Sequence, residues 1–232
     1  MELWLFLLRW IHFLAGITWI GLLYYFNFVQ TPFFAEAEPG VRSAAIQKLV
    51  PRALWWFRWG AMFTFLAGIL IYLYKLGEFG GDFLTTNYGL AITIGGLIGT
   101  LMFLNVWLVI WPAQQVVIAS ATQVAKGGQA IPDAAARARR AALTSRTNTV
   151  FSIPMLFYMG AASHFNGLVG QTTSSAATGL LIATVVIVGA VEVNALAGTQ
   201  GPTKKPLDSV SGALWAGFIL TAVLYVVMKA LA

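Results

Sequence analysis

The chain has 232 residues, of which 59% are hydrophobic and only 9% charged, where a soluble domain carries about 25% charged side chains. That leaves too little polar surface to coat a water-facing globule, so lipid is the solvent for much of the chain and an ordinary soluble enzyme is excluded. The formal charge of +6 is gathered into a few loops, which reads as topology signals beside an anionic leaflet rather than a nucleic-acid surface, and the absence of cysteine excludes disulfides, thiolate nucleophiles, cysteine-held clusters and covalent c-type haem.

Six stretches meet the roughly 20 apolar residues that a helix needs to cross a bilayer: 3–29, 53–76, 88–111, 150–170, 177–197 and 210–232. The first could be mistaken for a signal peptide, with a cleavage-like Phe34-Ala35-Glu36-Ala37, but Met1-Glu2 is acidic and the apolar run is too long. Backbone groups in lipid must be satisfied within the segment, so the spans are helices. The expected fold is an all-α integral membrane bundle of about six transmembrane helices in a single domain.

The connections set its orientation. The first carries Arg42, Lys48 and Arg52. The third carries Lys126, Arg137, Arg139, Arg140 and Arg146 against Asp133, and the fifth Lys204 and Lys205. The second has Glu78 and Asp82 against Lys75, and 171–175 has no charge. The positive-inside rule then places connections one, three and five in the cytoplasm and both termini outside. Within 114–146, Gly127-Gly128 and then Pro132-Asp133 opening an Ala/Arg-rich run predict a helical hairpin that extends helices three and four into the cytoplasm. Its basic face suits lipid headgroups.

The two histidines carry the strongest chemical signal. His12 lies about nine residues into the first span and His164 about six from the outer end of the fourth, on antiparallel helices, so both fall in the outer half of the membrane. Ionisable residues at such depth are costly and tend to face the bundle interior. One turn inward from His12 are Ala15 and Gly16, and one turn inward from His164 are Gly160 and Ala161. Two imidazoles above such clearings could ligate a flat macrocycle from both sides, as in a bis-histidine haem b, with Arg9 one turn outward from His12 to pair with a propionate. The same pattern also fits close helix contact with a hydrogen-bonding histidine pair, or another metal or a proton relay. Glu192 and Arg58 fall at a similar inner depth, which fits a partly buried ion pair or an acid reaching the inner interface, or else a proton entry point or substrate anchor. Asn105 and Asn194 read as interhelical hydrogen bonders, Trp19 as core, and Trp4, Trp10, Trp55, Trp56, Trp59 and Trp111 as an interfacial belt. Pro154 should kink the fourth helix.

The run from Trp10-Ile-His12 through Gly16, Trp19, Gly21, Tyr25 and Asn27 to Gln30 resembles the first helix of the membrane domain of the bacterial cytochrome c-coupled urate oxidase family. Asn105-Val-Trp107 to Trp111-Pro112, and Arg146-Thr-Asn148 through Ser152-Ile-Pro154 to Ser163-His164, resemble further segments of that domain. The first helix is more weakly similar to the haem-binding membrane protoporphyrinogen oxidase group. These resemblances imply a multi-pass redox protein of the bacterial inner membrane. Members of the urate oxidase family end in a cytochrome c domain, whereas this sequence ends after the sixth span without Cys-x-x-Cys-His. The expected partners are therefore membrane lipids and a separate cytochrome c or respiratory-type subunits, in an oligomer or hetero-complex. Two redox roles follow: a haem electron-transfer subunit, or an oxidase of urate or a related purine. A haem-free structural subunit is the third reading.

Overall fold

The computed structural model describes residues 2–170 and 172–231. Met1 and Ala232, expected at the outer face, and Gln171, in the expected fourth connection, lie outside the described residues. The elements, in order, are α1 (Glu2–Tyr24), α2 (Thr31–Glu36), α3 (Pro39–Lys48), α4 (Val50–Phe79), α5 (Asn87–Leu104), α6 (Trp111–Ala125), α7 (Ala134–His164), α8 (Ser174–Leu196) and α9 (Val210–Leu231). No strand occurs among the described residues.

Two junctions that read as continuous helix in the sequence pass instead through π-helical turns, Tyr25–Gln30 between α1 and α2 and Asn105–Ile110 between α5 and α6. Each stops just before a proline, Pro32 and Pro112. A proline has no N–H to give the residue four back and its ring crowds that carbonyl, so the register slips by one residue rather than break. Side chains take up the slack: Asn27 Nδ2 donates to the Leu23 carbonyl at 2.8 Å and Thr31 Oγ1 to the Phe26 carbonyl at 2.7 Å.

Five helical segments among the described residues are long and apolar enough to cross a membrane: Glu2–Glu36, Val50–Thr85, Asn87–Ala125, Ser174–Leu196 and Val210–Leu231. The fourth expected span is different. It is the second half of α7, and the helix ends at His164 rather than near residue 170. The middle of α7 is polar, yet Arg146, Thr147, Asn148, Thr149 and Ser152 are buried, because α1, α5, α6, α8 and α9 all pack against it. A helix sheathed by other helices shows lipid little of itself and can carry hydrogen-bonding groups that a lipid-facing helix cannot. Pro154 leaves the Val150 carbonyl without its usual donor. Gly217 of α9 seats against that point, where an added Cβ would stand 2.9 Å from the Val150 oxygen and closer still to Ile153.

The basic connections gather at one end of the bundle. Arg139 in α7 pairs with Asp208 at 2.8 Å and donates to the Thr199 carbonyl, Arg140 donates to the Leu196 carbonyl, and α3 packs on α6. The expected hairpin is present there as α6 and the first half of α7, closed by the Ile131 N–H donating to Ser120 Oγ at 3.0 Å. At the opposite end Asn87 holds the turn after α7, accepting from the Val169 N–H at 2.8 Å, and Lys229 donates to the Gly167 carbonyl.

Candidate functional site

α1 lies along α4 because both carry small residues where they meet. Gly60 admits the α1 backbone, with an added Cβ there 3.1 Å from the Trp19 nitrogen and 3.3 Å from the Ala15 oxygen. About two turns along α4 from Gly60, the His12 ring lies over Gly68. Its Nδ1 is 2.8 Å from the Thr64 carbonyl oxygen. That carbonyl can only accept, so the proton sits on Nδ1 and the Nε2 lone pair is left available. Thr64 is four residues before Gly68, so the missing Cβ exposes the carbonyl that a side chain would screen. A second N–H donated to a backbone carbonyl is the usual way a ligating imidazole is oriented and made more basic.

His164 is the last residue of α7 and is exposed, with the Phe165 N–H closing the helix onto the Ala161 carbonyl at 3.0 Å. The antiparallel contact between α1 and α7 sets its height relative to His12. Tyr24 Oη and Ser152 Oγ are 2.9 Å apart, and Asn27 Nδ2 donates to Ser145 Oγ at 2.8 Å. His12 precedes Tyr24, and His164 follows Ser152, by about twelve residues each, or ~18 Å of helix. The two imidazoles thus stand at matching height at the end of the bundle away from the basic connections.

The small residues beside them divide. Gly16 packs on Thr64, whose Cγ2 would be 3.8 Å from an added Cβ, and Ala15 meets Gly60. Gly160 is exposed with nothing within 4 Å of an added Cβ, and Ala161 is buried. Arg9 is exposed one turn from His12. About two turns toward the middle from each histidine lies a buried donor with no hydrogen-bond partner, Trp19 Nε1 on α1 and Tyr158 Oη on α7. A buried donor left unpaired is costly, and a group with acceptor atoms between the helices would satisfy it. No set of three or more His, Asp or Glu that could hold a metal ion occurs among the described residues. Haem asks less of the protein, since its ring supplies the equatorial ligands and two axial side chains complete the iron. Its demands fit the residues present.

A second polar constellation spans three helices nearer the basic end. Asn105 Nδ2, at the start of the second π turn, donates to Asn148 Oδ1 at 2.9 Å and to Glu192 Oε2 at 3.0 Å, while Asn148 Nδ2 donates to the Met102 carbonyl at 3.0 Å. Glu192 therefore takes Asn105, not the Arg58 that its depth suggested. Arg58 instead stacks among Trp59, Trp107 and Trp111, with its Cζ 3.9 Å from the Trp111 ring centroid. Aromatic faces attract a guanidinium, so tryptophans rather than an acid meet the charge, while the buried Nε has no hydrogen-bond partner. Asn194 bonds the Thr203 carbonyl of the following loop, not another helix. Sequence reading missed Asn148, Thr64 and Gly68. Only the last had a signal, a glycine inside a helix with no turn to explain it.

Fold and site together define an all-helical protein with helices long and apolar enough to cross a membrane, two histidines toward one end of the bundle and an Asn105–Asn148–Glu192 network nearer the other. A family model described as urate oxidase N-terminal matches residues 78–229, about two thirds of the chain, and the chain belongs to that family. The match takes in α5 to α9, with Gly160, Ala161, His164 and the Asn105–Asn148–Glu192 network, and begins after the helix that bears His12. No curated protein and no solved structure matches the chain.

Proposed function

We propose that this protein is a membrane redox subunit that holds one haem b between His12 and His164, with the basic connections in the cytoplasm and the histidines toward the outer face. The observation that carries the reading is the Nδ1 hydrogen bond to Thr64, which presents Nε2 of His12 as a ligand. Gly160 leaves room beside His164, and Arg9 stands where a guanidinium would meet a propionate. Bound haem supplies a one-electron carrier. The protein's own residues orient it, keep the His12 proton on Nδ1, and exclude water through the α1–α4 contact. On this reading the second half of α7 also crosses the membrane, as the fourth of six spans in a multi-pass inner-membrane protein that works in an oligomer or hetero-complex. An outer-side acceptor such as a separate cytochrome c would take the electrons. The test is haem stoichiometry in protein purified from haem-replete cells. One haem per chain is expected, and colourless protein would refute the proposal.

Family membership favours a second reading on the same frame, in which urate or a related purine is the electron donor. Urate added anaerobically to the oxidised protein would then reduce it. An unchanged spectrum beside full reduction by dithionite would leave electron transfer without urate chemistry.

A further inference from the structure

At the basic end, Lys204 lies in a 3-10 turn (Pro202–Asp208) packed against α7, α8 and α9. It is 2% exposed, and its ammonium has no hydrogen-bond partner. Arg139 and Arg140 of α7 reach the same loop, held by the Thr199 and Leu196 carbonyls. The one acid at hand, Asp208, is engaged with Arg139. Arg146, also buried, keeps one guanidinium nitrogen unpaired. A buried ammonium beside other cations is among the costliest arrangements a protein can hold unless an anion meets it. Beside Thr203 and Pro206, which bracket Lys204 in the turn, a groove of about 380 Å³ opens between α7, α8 and α9. Its lining includes Asn194 and Thr203 beside the apolar Ala190, Val191, Leu207 and Leu220. The groove is thus largely apolar with two polar residues, and the turn that carries Lys204 forms part of its lining.

We infer that this corner is a binding site for an anionic phospholipid, with the phosphate met by Lys204, Arg139 and Arg140 and an acyl chain lying in this groove. The charge is matched where an anionic leaflet would supply it, and the apolar lining is what a free anion could not use. Arg139 and Arg140 are already fixed by backbone carbonyls, so little side-chain freedom is lost on binding. The lipid would tie the loop after α8 to the basic half of α7.

The experiment is thermal unfolding of the full chain in nanodiscs of phosphatidylcholine, with and without phosphatidylglycerol, and separately in detergent with inorganic phosphate. Wild type should gain several degrees with phosphatidylglycerol and nothing comparable with phosphate. Lys204→Met keeps the side-chain length without the charge and should lose that gain. Leu220→Trp fills the groove and should lose it too while leaving the cations in place. Equal melting in the two lipid compositions would overturn the site. Protection by inorganic phosphate that survives in Leu220→Trp would mean a free-anion site and overturn the lipid assignment. If Lys204→Met does not fold, Arg140→Gln together with Leu220→Trp carries the same comparison.

Discussion

His12 Nδ1 donates to the Thr64 carbonyl across 2.8 Å because residue 68, one turn beyond Thr64, has no Cβ. An added Cβ would stand 3.1 Å from His12 Cε1 and 3.3 Å from Nδ1, so the ring would have to shift by a few tenths of an ångström. Gly68→Ala should therefore weaken haem binding by about 10–100-fold, the usual effect of losing a ligand's outer hydrogen bond. The haem-free protein should change little, because alanine gains roughly 1 kcal/mol of helix propensity against the weakened hydrogen bond. Haem titration and unfolding of the haem-free protein separate the two. Unaltered haem affinity would mean that the Thr64 contact only packs α1 on α4.

Gly16 and Gly160 should respond differently to enlargement. An added Cβ at Gly16 would already be in van der Waals contact with Thr64, so the further atoms of Gly16→Leu should overfill the α1–α4 contact at a cost of about 1–3 kcal/mol with or without haem. Gly160 faces open space, so Gly160→Leu should leave the haem-free protein intact and remove only the stabilisation that haem adds through linkage. Melting curves of each variant, with and without haem, make the comparison. An equal loss in both Gly160→Leu samples would show that nothing needs that space.

The Asn105 amide spends both of its hydrogens, one on Asn148 and one on Glu192. Asn148→Leu leaves one buried hydrogen unpaired and should cost about 1–3 kcal/mol. Glu192→Gln keeps an acceptor oxygen in place and should cost less than about 1 kcal/mol. Reversible unfolding in micelles gives both numbers. A loss in Glu192→Gln as large as in Asn148→Leu would show that the charge, and not the hydrogen bond, is what the network requires.

Burial first, and then Arg139 and Arg140, hold the Lys204 ammonium below the ordinary lysine range. Asp208, on the same turn, is paired with Arg139. Between the lowered folded value and about 10.4, the unfolded chain binds more protons than the folded one. Stability should rise with pH across that window and be flat with respect to this group below it. Wild type minus Lys204→Met, measured without anionic lipid, isolates the slope, and phosphatidylglycerol should flatten it. Parallel pH curves for the two proteins would contradict this.

Much of the bundle was legible in the sequence because lipid imposes a simple code: long apolar runs make helices, and the clustering of Arg and Lys in alternate loops gathered those loops at one end. The code failed where protein, rather than lipid, is the solvent. The polar middle of α7 is buried by five neighbouring helices, which no pattern along α7 itself declares. The π turns were hidden because Pro32 and Pro112 signal a disturbance without saying whether the helix kinks or slips register. At the site, counting residues from the helix ends gives each histidine's position along its helix. It does not give direction. Which neighbour His12 faces depends on how α1 rolls on α4, and that is set by Gly60 and Gly68 on the other helix. Depth alone offered Glu192 as one possible partner for Arg58, and could not show that three tryptophans surround it.

The most direct test of the account is the reduced-minus-oxidised optical spectrum of the purified protein beside His12→Ala and His164→Ala. Wild type should show a low-spin, bis-imidazole haem that acid-acetone extracts, since no cysteine can bond it. Each alanine variant should lose the pigment or convert it to a high-spin form. A wild-type spectrum retained in both variants would contradict the ligation on which the proposed function rests.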